Sequence, residues 1–303
     1  MSSWQSSVLN TILSYVARPS ISRGKAKVPL AQVREKLIEL DKRWIPWPDK
    51  LVSATIPLRH SNLLHYVHLT KSPLLGNLFY VRGGGFCFKT PHAHARLVAD
   101  IGRRCQLDIY IPDYRLAPEY PFPAPCDDVM EAYLRLIDLK GANNLVLMGD
   151  SAGGNLALSL LLELKRLHLP LPQACVLLSP ALDLAITGDT ELILGADDPF
   201  FTIESLLRLR GAYLAGADPM SARVSPLQGN LVGLPPLLVI AGTRELLLQD
   251  SERLVTQIKA SGGEIQGIFY PNMPHVFPMF DLLPEALEAR EKISHFVLSH
   301  LIR

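Results

Sequence analysis

Short, nearly continuous apolar runs alternate with longer amphipathic stretches from residue 77 to the end of the chain. Unbroken apolar runs are typical of parallel strands buried on both faces, and a 3.6-residue period is typical of the helices that cover them. The pattern therefore predicts an α/β fold with a mostly parallel central sheet and helices on both faces. Strands are predicted at 77–82, 107–112, 145–149, 173–179, 236–241 and 265–270, and helices at 92–104, 126–139, 152–167, 202–215, 250–261 and 285–302.

Two strands and a helix are predicted ahead of this alternation. Strands 52–58 and 64–70 flank the turn-forming sequence Arg-His-Ser-Asn at 59–62, which indicates a hairpin. A helix is predicted from Leu30 to Trp44, and it ends before a proline-rich segment that cannot continue it.

The first residues of the chain form one further amphipathic pattern. Trp4, Val8, Ile12 and the pair Tyr15/Val16 recur at helical spacing, with Ser, Gln and Asn between them. The polar face lacks the Lys and Arg that are typical of a helix on a membrane surface. The pattern therefore favours a helix that packs on its own protein.

Length, composition and charge narrow the class of protein. A chain of 303 residues can bury a large core, and 48% hydrophobic against 19% charged residues is a globular balance. No repeat or low-complexity linker divides the chain, so we expect one domain over 1–303 with an N-terminal and a mid-chain cap element. The net charge is +1 and the basic residues are scattered, which argues against a nucleic-acid partner.

The sequence gives no sign of a membrane segment or an export signal. No apolar run reaches membrane-spanning length, and the N-terminus lacks the basic start and apolar core of a secretory signal. We therefore expect a cytoplasmic protein without stable membrane insertion. The cysteines lack metal-ligand spacing, which indicates buried free thiols at Cys87, Cys105, Cys126 and Cys175.

The most informative motif is Gly149-Asp150-Ser151-Ala152-Gly153, which joins a predicted strand to a predicted helix. Gly-x-Ser-x-Gly in that context is typical of a nucleophile elbow, where a sharp turn exposes a serine hydroxyl. The N-terminus of the following helix directs N–H groups and a positive dipole toward charge developing near the hydroxyl. An ordinary glycine turn is the alternative, but the flanking strand and helix favour Ser151 as a nucleophile.

A nucleophilic serine needs a base, and His275 is the best-placed histidine in the sequence. It follows a predicted strand and precedes the last helix, where open α/β sheets collect their chemistry. A surface loop histidine is the alternative. His92 and His94 lie two positions apart and cannot share one helix face as metal ligands, so no metal site is predicted.

Three consecutive glycines, Gly83, Gly84 and Gly85, directly follow the strand predicted at 77–82. Without side chains, their N–H groups can approach a reacting oxygen closely, which favours an oxyanion hole. A phosphate loop is less consistent, because no Gly-Lys-Ser/Thr completes the motif.

Taken together, these motifs resemble those of the hormone-sensitive-lipase-like (family IV) esterases of the α/β-hydrolase superfamily. The resemblance spans most of residues 77–300 in the family's order, and it is carried by Gly83–Gly85, Asp113–Glu119, Gly149–Gly154, Asp198-Pro199 with Tyr213-Leu214, and Met273–Phe277. It implies an α/β-hydrolase fold with cap elements at about 1–45 and 183–222. It also implies hydrolysis of short- to medium-chain acyl esters without metal or cofactor, and homodimers occur in the family.

The resemblance also assigns roles to individual residues. Ser151 corresponds to the nucleophile and His275 to the base. The N–H groups of Gly84, Gly85 and Ala152 correspond to the oxyanion hole. These roles imply attack of the serine on the ester carbonyl, an acyl-enzyme intermediate, and its hydrolysis by water.

Arg82 is the first departure from the family pattern, which has a histidine before the three glycines. One interpretation is a substituted brace, since a guanidinium can donate to the same carbonyl groups. The other hypothesis is that Arg82 faces the substrate pocket and favours an anionic ester.

The triad acid is the second departure, because the chain has Gly242-Thr243-Arg244-Glu245 where the family usually has an aspartate. Glu245 lies thirty positions before His275, a separation that resembles the family's. Glutamate serves as the acid in some triads on this fold, so Glu245 is favoured. An alignment that puts Arg244 in the acid's place would leave no acid in this register. Asp250 is then the fallback, although it is expected to cap the helix that starts there.

These departures leave a second class of function open. Gibberellin receptors resemble the family, lack its catalytic histidine, and bind a small molecule instead of hydrolysing it. The chain keeps both Ser151 and His275, which favours a serine esterase over a weak or inactive ligand-binding relative. Acyl transfer and amide hydrolysis use the same chemical groups and stay open.

Overall fold

The central element of the fold is one mixed sheet. A computed structural model describes residues 2–17, 28–69 and 73–301. Its strands are β1 Leu51–Pro57, β2 Asn62–His68, β3 Gly76–Val81, β4 Leu107–Pro112, β5 Leu145–Asp150, β6 Ala174–Leu178, β7 Leu237–Arg244 and β8 Ile265–Pro274. Within the described residues these eight strands form a single sheet in the order β1-β2-β4-β3-β5-β6-β7-β8. The pairs β1–β2 and β2–β4 are antiparallel and all the others are parallel, which confirms the predicted hairpin and the mostly parallel sheet.

Helices cover both faces of this sheet. They are α1 Trp4–Ile12, α2 Leu30–Trp44, α3 Pro91–Cys105, α4 Ala124–Lys140, α5 Ala152–Arg166, α6 Thr190–Gly195, α7 Ile203–Leu214, α8 Leu248–Ala260 and α9 Pro284–Leu301. The predicted helices agree with these bounds to within two residues; residue 302 of the last one lies outside the described part. The short helix α6 was not predicted, since six residues carry too little periodicity.

The alternation of side chains along the buried strands divides the core between the two faces. In β5, Leu145 and Leu147 pack in the layer that contains α4 and α5. Val146 and Met148 point to the opposite face and pack with α3 and α9. Because both faces are covered, every residue of β5 is buried, and its C-terminal end provides a rigid base for the turn that follows.

The two strands at the end of the sheet extend further than the apolar pattern predicts. β7 continues to Arg244 and β8 to Pro274, although the predicted strands end at 241 and 270. β8 is an edge strand with exposed positions, so its outer residues include polar ones such as Asn272 and the apolar run ends early. The extended pairing, with an irregularity between Gly242 and Arg244, brings the segments after both strands to the same end of the sheet.

The N-terminal helix packs on its own protein, but the predicted face is wrong. Trp4 and Tyr15 are 73% and 79% exposed, and Val8 and Ile12 are also exposed. The buried side chains of α1 are Ser6 and Asn10, and the Asn10 amide donates to the Asn272 carbonyl at 2.8 Å. This polar contact, the packing of Leu9 on the core and the bonds of Ser3 to Glu285 hold the helix, and the predicted stripe faces outward. The side chain of Val16 lies outside the described part.

Two further expectations concern the chain as a whole. Cys87, Cys105, Cys126 and Cys175 are all buried and free, as predicted. In residues 2–17, 28–69 and 73–301, no helix is both long and apolar enough to cross a lipid bilayer.

Candidate active site

Ser151 lies at a sharp turn between β5 and α5. Its φ of 52° and ψ of −123° form a combination that residues with side chains rarely adopt. The Ser151 N–H donates to Leu178 O at 2.8 Å and fixes the turn. Gly153 allows the start of α5 to approach β3, because a Cβ there would lie only 2.1 Å from Val81 O. The turn thus has the strained geometry of the predicted elbow.

Ser151, His275 and Glu245 form a continuous hydrogen-bonded row at the carboxyl ends of β5, β8 and β7. His275 Nε2 lies 2.9 Å from Ser151 Oγ, and His275 Nδ1 lies 2.8 Å from Glu245 Oε2. A carboxylate at Nδ1 keeps the proton on that nitrogen, which leaves Nε2 able to accept the serine proton. The row can therefore perform serine nucleophilic catalysis with a glutamate as the acid.

The electrostatic environment of His275 favours its protonated form. Burial lowers the pKa of His275, but the hydrogen bond and the negative charge of Glu245 outweigh burial. The carboxylates of Asp198 and Asp150 act in the same direction, and the net result is a pKa above the ordinary value of 6.5. This environment stabilises the imidazolium that forms when the ring takes the serine proton.

The structure also places the other two residues considered for the acid. Arg244 points away from His275 and forms an ion pair with Asp197. Asp250 Oδ2 accepts from the N–H groups of Leu182 and Asp183, at 2.6 and 3.0 Å. The prediction that Asp250 caps the helix is wrong, since α8 already begins at Leu248. Burial raises the pKa of Asp250 to about 7.

The glycine loop presents free N–H groups beside Ser151. Gly83 donates its N–H to Asp150 Oδ1 at 2.7 Å, whereas Gly84 and Gly85 donate to no acceptor within the described residues. Gly84 has a φ of 120°, and a Cβ there would lie 2.2 Å from Phe88 O, so the loop requires glycine at this position. Gly85 and Ala152 line the same cavity as Ser151. The loop and the helix N-terminus thus offer donors to a carbonyl oxygen bound at the serine.

Asp150 connects the elbow to the glycine loop. Besides the Gly83 N–H, its Oδ1 accepts from the Tyr80 hydroxyl at 2.5 Å, and His94 Nε2 lies 3.5 Å from its other oxygen. His92 instead contacts Ile45 O, so the two histidines of α3 have separate partners. Among the described residues, no three His, Cys, Asp or Glu side chains are grouped to hold a metal ion.

Arg82 is a brace of the glycine loop. Its side chain is buried, and its guanidinium donates to Phe88 O at 3.1 Å and to Tyr114 O at 3.3 Å. The guanidinium carbon lies 4.3 Å from the centre of the Tyr114 ring, and Asp113 partly balances its charge. Arg82 does not line the cavity around Ser151. The hypothesis that Arg82 faces the pocket is therefore wrong.

Comparison with known proteins identifies the family. The family model for the alpha/beta hydrolase fold matches residues 78–279. An esterase from Acinetobacter venetianus is 35% identical over 226 residues, 73% of this chain and 74% of that protein. An acetyl-hydrolase from Streptomyces hygroscopicus is 34% identical over 223 residues, with the same coverage of the two chains. The crystal structure of a hormone-sensitive lipase from a metagenome library superimposes with a TM-score of 0.88 and 28% identity, over 98% of both chains.

The chain belongs to the hormone-sensitive-lipase-like esterases. It is a carboxylic ester hydrolase with an α/β-hydrolase fold, as the motif resemblance implies. The family match covers the glycine loop, the elbow and the residues from Glu245 to His275.

The esterase has a mostly apolar cavity of about 130 Å³, and Ser151 is one of its lining residues. Helix α7 supplies five of its lining residues and α6 supplies Ile193, while Leu246 and Leu247 follow Glu245 directly in the sequence. The aliphatic and aromatic side chains of the wall include Leu184, Ile193, Phe201, Ile203, Leu206 and Leu209. Such a cavity excludes water from an acyl chain and binds it by burial of apolar surface.

Two residues next to the Ser151–His275–Glu245 row had no predicted role. Ser179 Oγ accepts from Val276 N at 3.0 Å and lies beside the Glu245 carboxylate. The Asp198 carboxylate accepts from Leu246 N at 3.0 Å. The sequence signal for Asp198 was its place in a family motif. Ser179 directly follows β6 and has a φ of 45°, which the sequence does not reveal.

Proposed function

We propose that the protein hydrolyses short- to medium-chain acyl esters through Ser151, His275 and Glu245. The observation that carries the proposal is the unbroken row of contacts from Glu245 through His275 to Ser151, which lines an apolar cavity. The proposed site lies in a single domain over 1–303, with cap elements at about 1–45 and 183–222.

The first half of the reaction acylates the serine. His275 Nε2 accepts the Ser151 proton while Oγ attacks the ester carbonyl, and Glu245 stabilises the imidazolium. His275 then donates the proton to the departing alcohol, which leaves an acyl group on Ser151. Water repeats the sequence on the acyl-enzyme, with His275 first as base and then as acid.

The oxyanion of each tetrahedral intermediate accepts hydrogen bonds from the N–H groups of Gly84, Gly85 and Ala152. The donors are fixed before the substrate arrives, because the strained backbone of the glycine loop and the first turn of α5 set their direction. The contacts of Arg82 with Phe88 O and Tyr114 O maintain the shape of this loop.

The experiment that tests this function is a series of p-nitrophenyl esters from acetate to palmitate. The wild-type protein is expected to hydrolyse the shorter chains best, since the cavity is small and apolar. The Ser151→Ala variant is expected to lose about 10⁴-fold or more in kcat. Ser7→Ala, on the exposed side of α1, is the matched serine control and keeps wild-type activity.

Mass spectrometry during turnover is expected to show an acyl adduct on Ser151. Hydrolysis that survives Ser151→Ala would contradict the proposed nucleophile. No turnover of any chain length by the wild-type protein, together with binding of the ester, would instead support the ligand-binding alternative.

A further inference from the structure

A single carboxylate connects the 183–222 segment to the loop that carries the triad acid. Asp198 is 1% exposed, and its Oδ1 accepts from the N–H groups of Phe200 at 2.6 Å and Phe201 at 2.9 Å. Its Oδ2 accepts from Leu246 N at 3.0 Å. Leu246 directly follows Glu245. One side chain therefore holds the backbone at Phe200 and Phe201 in the 183–222 segment and the backbone next to Glu245.

We propose that Asp198 is a positioning residue for ester hydrolysis: it fixes Glu245 and His275 relative to each other and thereby couples the 183–222 segment to the triad. The inference rests on the proposed function, because it concerns the same site. Asp198 forms no hydrogen bond with the serine hydroxyl and does not itself line the cavity; it acts through Phe201 and Leu246, which do.

Asp198 constrains the triad from two sides. Its bond to Leu246 N holds the backbone that sets the position of Glu245. Its bonds to Phe200 and Phe201 place the Phe201 ring edge-on against His275, with ring centres 5.2 Å apart and planes at 75°. The His275 ring thus lies between the Glu245 carboxylate, which contacts Nδ1, and the Phe201 ring. Displacement of either support by about 1 Å would lower the rate ~100-fold.

The charge of Asp198 acts on His275 as well. The negative groups that face His275 come from three elements: Glu245 at the end of β7, Asp150 at the end of β5, and Asp198 from the 183–222 segment. Burial lowers the pKa of His275, and these carboxylates together raise it. Three backbone N–H groups donate to the carboxylate oxygens of Asp198. Removal of this charge is therefore expected to lower the pKa of His275.

The neighbouring residue offers a matched control. Asp197 has the same side chain, but it is 70% exposed and pairs with Arg244 at the surface. Asp197 therefore also connects the 183–222 segment to the end of β7, but it does not accept from the N–H groups of Leu246, Phe200 or Phe201. A general need for a link between the segments would make both aspartates important, whereas positioning of the triad requires only Asp198.

The test compares Asp198→Asn with Asp197→Asn on p-nitrophenyl butyrate, with active sites counted by the burst of a p-nitrophenyl phosphonate. Asn at 198 keeps the volume but directs an NH₂ group at the Leu246 N–H. The expected loss in kcat per titrated site is ~10- to 100-fold with little change in KM. The acid limb of kcat/KM is expected to move to lower pH by about half a unit. Asp197→Asn is expected to leave both quantities unchanged.

A purely structural role would give a different result. Asp198→Asn would then lower the melting temperature and the fraction of titrated sites, while kcat per site and the acid limb stay at wild-type values; that result overturns the proposal. The pKa of His275, measured by NMR on histidine-labelled protein, gives a readout that does not need turnover. A fall in that pKa in Asp198→Asn supports the inference even if the wild-type protein hydrolyses no ester, and an unchanged pKa contradicts it.

Discussion

Arg82 illustrates how one residue can depart from a family pattern and keep its structural task. The family histidine is replaced by a guanidinium that donates to two carbonyl oxygens and stacks on Tyr114. These contacts hold the Arg82 guanidinium against the loop, where it does not line the cavity. Its position therefore predicts an effect on the stability of the loop and none on the charge preference of the substrate.

The variant Arg82→His tests this interpretation. We expect hydrolysis of p-nitrophenyl butyrate and of p-nitrophenyl hemisuccinate, which carries a carboxylate, to change by the same factor. Arg210→Gln is the matched control, because Arg210 lines the cavity, and it is expected to reduce the rate on the carboxylate ester selectively. A changed ratio of the two kcat/KM values in Arg82→His would contradict the assignment of Arg82 as a brace.

The pH dependence of the esterase follows from the surroundings of His275. The ring must be neutral to accept the Ser151 proton, and Glu245 holds its pKa above 6.5 against the effect of burial. Activity is therefore expected to fall as the pH drops through that raised pKa. The acid limb of kcat/KM should lie above pH 6.5 in the wild-type protein, and a limb well below that value would mean that Glu245 does not stabilise the imidazolium.

At the scale of elements, the hydrophobic pattern predicts the bounds of helices and strands that are buried on both sides. It misses the ends of elements that have one exposed side. Every residue of β5 and the first ten residues of α5 are buried and most of them are apolar, so the elbow between the two elements was predictable. β8 is an edge strand, and its last four residues were missed because two exposed positions and two prolines, in Pro-Asn-Met-Pro at 271–274, interrupt the apolar run. Those four residues carry the chain to His275. The separation of Glu245 and His275 in the sequence was informative, but their contact depends on the extended pairing of β7 and β8.

The helix α1 is the clearest case of a misleading pattern. Its apolar stripe predicts the buried face, yet the contacts with the protein are made by Ser6, Leu9 and Asn10. The hydrogen bonds of Asn10 to Asn272 O and of Ser3 to Glu285 help to set the orientation, and no periodicity in the sequence of α1 indicates those partners. Hydrophobic periodicity is therefore a poor predictor of the buried face of a helix that contacts its protein through only a few side chains.

The exposure of this stripe predicts how α1 responds to substitution. Trp4→Ser and Ile12→Ser are expected to change the free energy of unfolding by less than ~0.5 kcal/mol, since each side chain is mostly in water. Asn10→Leu is expected to cost ~1–2 kcal/mol, because it removes the bond to Asn272 O. Urea unfolding followed by circular dichroism measures all three. A larger loss for Trp4→Ser than for Asn10→Leu would show that the apolar face is buried in solution.

At the scale of the whole molecule, one sheet collects the site from distant parts of the chain. The carboxyl ends of β3, β5, β7 and β8 supply the glycine loop, Ser151, Glu245 and His275 in that order. Residues of the 183–222 segment line the cavity, and Asp198 and the ion pair of Asp197 with Arg244 link this segment to the site. The family and its motifs were predictable because they depend on local turns. The links to the 183–222 segment were not, since they depend on tertiary contacts between residues about 48 positions apart.

The most direct test of the account is kcat per titrated site for wild type, Glu245→Gln and Asp250→Asn on p-nitrophenyl butyrate. Glu245→Gln keeps the shape but no longer fixes the proton on His275 Nδ1, so a loss of about 10⁴-fold is predicted. Asp250→Asn, which removes a carboxylate that contacts Leu182 and Asp183 instead of His275, is predicted to lose far less. Wild-type turnover in Glu245→Gln, with a large loss in Asp250→Asn, would contradict the Ser151–His275–Glu245 triad.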